Sequence, residues 1–152
     1  MIQHLANTYL AARRKRWFCS KPVVDDRMLV TAADLVALQA RIDCTLPADM
    51  REWLTTVGFC TFNEELNFQA NWFRRFGKGD LADAIIFAQD ELGSHYGFLP
   101  SNGRVIYFAR FEPYYAVLAE SFQGFLQELQ ARNYRVVEWI DSISLLPYNL
   151  DK

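Results

Sequence analysis

A chain of 152 residues, 51% hydrophobic and 15% aromatic, is enough for one domain with a substantial core, far from the compositions of disordered chains. Its formal net charge of −2 argues neither for nucleic acid nor for an extreme acidic mimic, and Cys19, Cys44 and Cys60 have neither the number of a disulfide framework nor the spacing of a metal or redox pair. No apolar run reaches membrane-spanning length, and the basic residues follow the first apolar stretch, the reverse of a secretory signal, so a cytoplasmic protein is expected.

Ile2, Leu5, Ala6 and Tyr9 recur at helical spacing, which predicts an amphipathic first helix whose end carries Arg13, Arg14, Lys15 and Arg16. Residues 1–27 form a basic arm, with six bases against Asp25 and Asp26, so the rest of the chain is acidic. Thr31 and Asp34 make a capping-box start for a second helix with Leu35, Leu38 and Ile42 on one face. Pro47 suits a first helical turn, Met50, Trp53, Leu54 and Val57 share a stripe, and Gly58 supplies the stop of a third helix. Residues 59–79 mix aromatics with polar residues without a clean period and read as a loop-rich region with a short strand.

Ala84 to Ala88 is an apolar run of strand length, closed by the turn-prone Gln89 to Gly93. Tyr96 to Leu99 and Arg104 to Arg110 flank Asn102-Gly103, a strong hairpin signal. Val105 to Ala109 lack polar alternation, so this strand is expected to be covered by helices on both faces, at the sheet centre. Tyr114 to Ala119 reads as a further strand, Ser121 caps a helix with Phe122, Phe125, Leu126 and Leu129 on one stripe, and Val136 to Ile140 closes the fold as a strand. Helices around a run of hairpins indicate an α+β fold, and without repeats or linkers residues 1–152 form one domain.

Chemistry is sparse. His4 lies near a terminus, so acid–base catalysis would centre on His95, whose neighbours Asp90, Glu91 and Ser94 imitate a triad only by sequence adjacency, and triads are assembled from distant segments. Those residues read as a turn, and no catalytic residue is assigned. The carboxylates Asp80, Asp83, Asp90 and Glu91 match no metal-ligand register, so neither metal nor cofactor is expected. Gly77-Lys78-Gly79-Asp80 lacks the remaining residues of a phosphate loop, with Trp72 where a glycine is required, and reads as a flexible turn. Arg13 to Arg16 beside Trp17 and Phe18 could touch phosphates while the aromatics stack on bases, but four bases on an acidic body read better as a solvated helix end. Between Gly79 and Gly103 there is no Lys or Arg, which suggests a negative surface able to steer a basic partner. The candidate partner-binding residues are Asp80, Asp83, Asp90, Glu91 and His95, with Trp72 and Phe73 as aromatic anchors.

Leu46-Pro47-Ala48-Asp49-Met50-Arg51-Glu52-Trp53-Leu54 with Gly58, then Phe87 to Gly93, Gly103 to Phe108 and Ala119 to Leu126, follow one another in an order that resembles the SUKH superfamily, the group that includes Smi/Knr-like proteins. The resemblance spans residues 31–132 and rests mostly on packing residues. It implies a mixed, largely antiparallel sheet with helices packed over it and, in bacteria, an immunity protein that binds and neutralises a toxin, often a nuclease. A non-catalytic adaptor or regulatory scaffold of the same fold is the alternative, and an enzyme centred on His95 the third reading.

Overall fold

Helix α1 (Ile2–Ala11) forms on the stripe the sequence announces: Ile2, Leu5, Ala6 and Tyr9 are its buried residues. The computed structural model describes residues 2–16 and 18–151. The basic run does not continue α1. Arg13–Arg16 is strand β1, paired antiparallel with β2 (Cys19–Pro22), and the chain returns to the body where Val23 N–H donates to Ala12 O at 3.1 Å. Extended backbone sends successive side chains to opposite sides. Arg14 therefore reaches the body while Arg13 and Lys15 stay exposed. Trp17, weighed with Phe18 as a base-stacking aromatic, lies outside the described residues.

Strand β3 (Val24–Met28) leads to α2 (Ala32–Ile42), whose start is the expected capping box, Asp34 N–H to Thr31 Oγ1 at 3.1 Å and Thr31 N–H to Asp34 Oδ2 at 3.0 Å. Helix α3 (Ala48–Thr56) buries Met50, Trp53 and Leu54 and ends before Gly58, whose φ of +96° and approach to the Met28 carbonyl leave no room for a Cβ. The region expected to be loop-rich instead holds β4 (Phe59–Phe62), β5 (Leu66–Phe68) and β6 (Arg74–Arg75), with a 3-10 turn at Ala70–Trp72 between the last two. β5 and β6 pair with opposite ends of the same strand, so they form one ladder interrupted by that turn.

The central hairpins appear as expected. β7 (Ile85–Asp90), β8 (His95–Phe98), β9 (Val105–Phe108) and β10 (Tyr114–Ala119) pair antiparallel in sequence, and β11 (Leu146–Pro147) adds to β10 at Tyr114 and Tyr115. The sheet order is β11-β10-β9-β8-β7-β5-β4-β3, all pairings antiparallel among the described residues. Helix α4 (Phe122–Ala131) starts at Ser121, whose Oγ accepts from Gly124 N–H at 2.9 Å. Val136–Asp141 is helix α5, not the expected strand. Val136 and Trp139, three residues apart, are its buried pair, and that burial overrides the strand preference of Val136-Val137.

α1, α3 and α4 pack together over one sheet face. Aromatic rings fill the space between the layers: Phe68 lies 5.6 Å from the rings of Phe59, Phe87 and Phe122, and Trp53 lies 5.3 Å from Tyr9. Val105 and Tyr107 face this core, while Ile106 and Phe108 face a smaller one on the opposite side. The second face is covered by a strap, not by helices. Tyr148 of the C-terminal segment and Phe76 lie over Phe108, at ring distances of 6.2 and 4.7 Å. The strap is held at the would-be phosphate loop: Asp80 N–H donates to Asn149 O at 2.8 Å, and Asn149 N–H to Asp80 Oδ2 at 2.9 Å. Gly79, at φ +64°, would place a Cβ against the Asn149 carbonyl, so the glycine serves this close contact.

Phe68 is the hub of the main core, whereas Val36 on α2 is 67% exposed. Phe68→Ala should cost about 3–5 kcal/mol, and Val36→Ala should stay within about 0.5 kcal/mol, both read by urea unfolding with unchanged m-value.

Candidate functional site

The residues expected to form one acidic surface are separated by the fold. Asp83 and Glu91 flank opposite ends of β7, whose six residues span roughly 20 Å at about 3.3 Å per strand residue. Asp90 is buried: Oδ1 accepts from Leu92 N–H and Ser94 N–H, each at 3.0 Å, and Oδ2 accepts from Tyr96 O–H at 2.9 Å. Asp90 therefore builds the β7–β8 turn. Phe73 is fully buried among Phe59, Phe68 and Phe87, so it is a core residue and no surface anchor. Trp72, partly buried, meets the His95 ring edge-on at 6.1 Å. His95 is pulled below its ordinary range by burial, then by the Arg74 charge. Ser94 Oγ is engaged by Tyr107 O–H at 3.0 Å, so neither Ser94 nor Asp90 is arranged as a partner of His95.

The cation-free window in sequence is not cation-free in space. Arg75 approaches the Asp83 carbonyl at 3.5 Å, and Arg110 folds over the β7–β8 turn to donate to Leu92 O at 3.1 Å. Among the described residues no group of three or more His, Cys, Asp or Glu is placed to hold a metal.

Glu91 instead joins a cleft of about 720 Å³ where the β1–β2 hairpin, the β4–β5 turn and the α4–α5 region meet. Two turns without glycine line it. Asn63 and Glu64 have φ of 53° and 57°, Asn133 and Tyr134 have φ of 56° and 62°, and for L-residues this region costs roughly 1–2 kcal/mol per residue. The Asn63 side chain ties the two together, its amide donating to Tyr134 O at 2.9 Å and to Glu65 Oε2 at 2.7 Å. Its Oδ1 accepts from Arg14 at 2.6 Å, which anchors the hairpin, and Arg14 and Lys21 both pair with Glu64, at 3.6 and 3.4 Å.

Glu65 links the same site to α5. Its Oε1 accepts from Val137 N–H at 3.2 Å, so this carboxylate serves the first turn of a helix whose own leading residue, Arg135, gives no side-chain cap. Burial raises the Glu65 carboxyl above its ordinary range, the Glu91 charge adds to that, and the bonds from Val137 and Asn63 oppose it. Both oxygens are already hydrogen-bonded inward, so the group holds structure. Around it the cleft is lined by the acids Glu91, Glu138 and Asp141 and the bases Arg13, Lys15 and Arg135, the last paired with Glu138 at 3.3 Å, a mixture suited to a charged protein surface. Asn63, Glu65, Asn133 and Tyr134 were not singled out from the sequence, although the two Asn-led pairs are themselves turn signals.

Asn63→Gly keeps the left-handed backbone and removes the side-chain bonds, an expected loss of about 1–3 kcal/mol. Asn63→Ala adds backbone strain of roughly 1–2 kcal/mol, so Ala should unfold at lower denaturant than Gly. A carboxyl raised in the folded state binds its proton more tightly there, so its contribution to stability falls as pH rises from the unfolded to the folded value. In NMR titration Glu65 should therefore ionise above ordinary glutamates, and Glu91→Gln should move that titration down.

The family comparison accounts for the core and leaves part of the cleft outside it. Comparison with curated proteins found no match, and comparison with solved structures found none. The model of the SMI1 / KNR4 family (SUKH-1) matches residues 29–128, which takes in Asn63, Glu65 and Glu91 but neither the β1–β2 hairpin nor α5. With well over half of its length matched, the chain belongs to the SMI1 / KNR4 (SUKH-1) family.

Proposed function

We propose that this chain is a cytoplasmic immunity-type protein that binds a bacterial toxin domain, a nuclease being one candidate, and neutralises it by direct occlusion through the cleft. Family membership supports a protein-binding role. The observation that carries the choice of surface is the pair of glycine-free left-handed turns lining one cleft. Strained backbone persists only where its surroundings over-determine it, and such positions concentrate at functional sites. The cleft also joins the family core to segments outside the matched region, so its walls can differ between relatives while the core stays the same.

Inhibition on this reading is steric and electrostatic. Glu91 and Asp141 steer basic groups of the partner, and Arg13 and Lys15 take acidic ones. A mixed rim of this kind fixes orientation and rejects wrong partners by like-charge contacts more than it supplies raw affinity.

The test is co-expression with the product of any toxin-like gene that neighbours the one encoding this chain. Rescue of growth together with co-purification is expected; a lethal neighbour that is neither neutralised nor co-purified removes the immunity reading and favours an adaptor scaffold. With such a complex in hand, Glu91→Lys/Asp141→Lys should slow association about tenfold at low salt and little at high salt. Asp83→Lys, at the far end of β7, should leave the rate unchanged in stopped-flow measurements.

A further inference from the structure

The sheet has two edges, and they are finished differently. At β3 the edge carries Asp25, Asp26 and Arg27, all exposed, with Asp26 at φ 52° and a register shift between Asp25 and Met28. Charges and bulges of this kind keep foreign strands off a sheet edge. At the other end β11 covers β10 only at Tyr114 and Tyr115, with Pro147 opposite Tyr114 and Leu146 opposite Tyr115. Beyond it, Ala116-Val117-Leu118-Ala119 carries no charge and, among the described residues, has no strand on its outer side and receives no backbone bond from a loop or helix.

Next to this open edge is a groove of about 670 Å³. One wall is β10; the other is α4 with Trp139, Ile143 and Leu146, where the chain from α5 splays away before returning as β11. Val117 is 47% and Leu146 56% exposed. The charges at the rim are already paired, Arg104 with Glu120 at 2.7 Å and Arg132 with Glu128 at 2.8 Å, so nothing there recruits a charged occupant. What remains is a row of backbone donors and acceptors beside an apolar wall. An extended segment satisfies both at once, through the ladder on one side and alternate side chains on the other.

We propose that the outer edge of β10 at Ala116–Ala119 is a docking site for a short extended, uncharged peptide strand of a partner protein, which enters between β10 and the Trp139–Leu146 wall and continues the ladder that β11 begins. The shift in register between Val117 and Ala119 bends the end of the strand, so the ladder is short, about four residues or 13 Å long. A second copy of this chain fits less well. Its own β10 edge is flanked by the same wall residues, Trp139, Ile143 and Leu146, which a second edge strand would have to pass. The site is distinct from the cleft and does not depend on the partner being a toxin.

The test uses the full chain, labelled for NMR, and a blocked, uncharged peptide of sequence Thr-Val-Thr-Val-Thr-Val-Thr. Amide shifts and slowed hydrogen exchange confined to 116–119 and the facing 139–146 segment are expected. Val117→Lys should weaken binding at least tenfold, and N-methylation of alternate peptide amides should abolish binding to the unaltered chain, which keeps the test valid if the substitution unfolds the protein. No perturbation at 116–119, equal binding of the N-methylated peptide, or protection of this edge by self-association in the absence of peptide would each overturn the proposal.

Discussion

The Asn63 side chain is the constraint on which the shape of the cleft depends. One amide group joins the β4–β5 turn, the α4–α5 turn and, through Arg14, the N-terminal hairpin. Three segments far apart in the chain are therefore positioned by one residue whose own backbone is left-handed. Asparagine suits this position because it tolerates that conformation and offers both donors and an acceptor. Glu65, two residues on, extends the tie to the first turn of α5. The two left-handed turns that line the cleft are thus tied to each other.

The aromatic core supplies the platform for this arrangement. Phe68, Phe87 and Phe122 fix the sheet against α4, and Tyr9, wedged against Trp53 and Tyr134 with its hydroxyl donating to Leu126 O, carries the same packing toward the cleft. Burial of that hydroxyl raises its pKa well above that of an ordinary tyrosine, so it stays protonated and keeps the bond. The order runs from ring packing, through helix placement, to the turn that faces the cleft.

Much of the platform was legible in the sequence. The stripes of α1, α3 and α4 were readable because burial on one helix face imposes a period, and the capping residues Thr31 and Ser121 act on neighbours three positions away. α5 was not, because six residues are too few to establish a period and Val136-Val137 favours a strand. The basic run was misplaced for a related reason: nothing local reveals that Arg14 will find Asn63 and Glu64. The acidic window misled because charge was counted along the chain, whereas Arg74 and Arg75 approach it from β6 and Arg110 from the β9–β10 loop. The cleft was illegible altogether, since its bonds join residues separated by 49, 71 and 72 positions. The family resemblance carried over the core and implied partner binding, but it could not locate a surface built partly outside the matched region.

The central claim is that the partner is held at the cleft. Hydrogen exchange of the chain, alone and in complex with the proposed toxin partner, tests this most directly. Slowed exchange concentrated at 63–65, 91 and 133–141 is the result the account requires; a footprint that leaves those residues unchanged would contradict it.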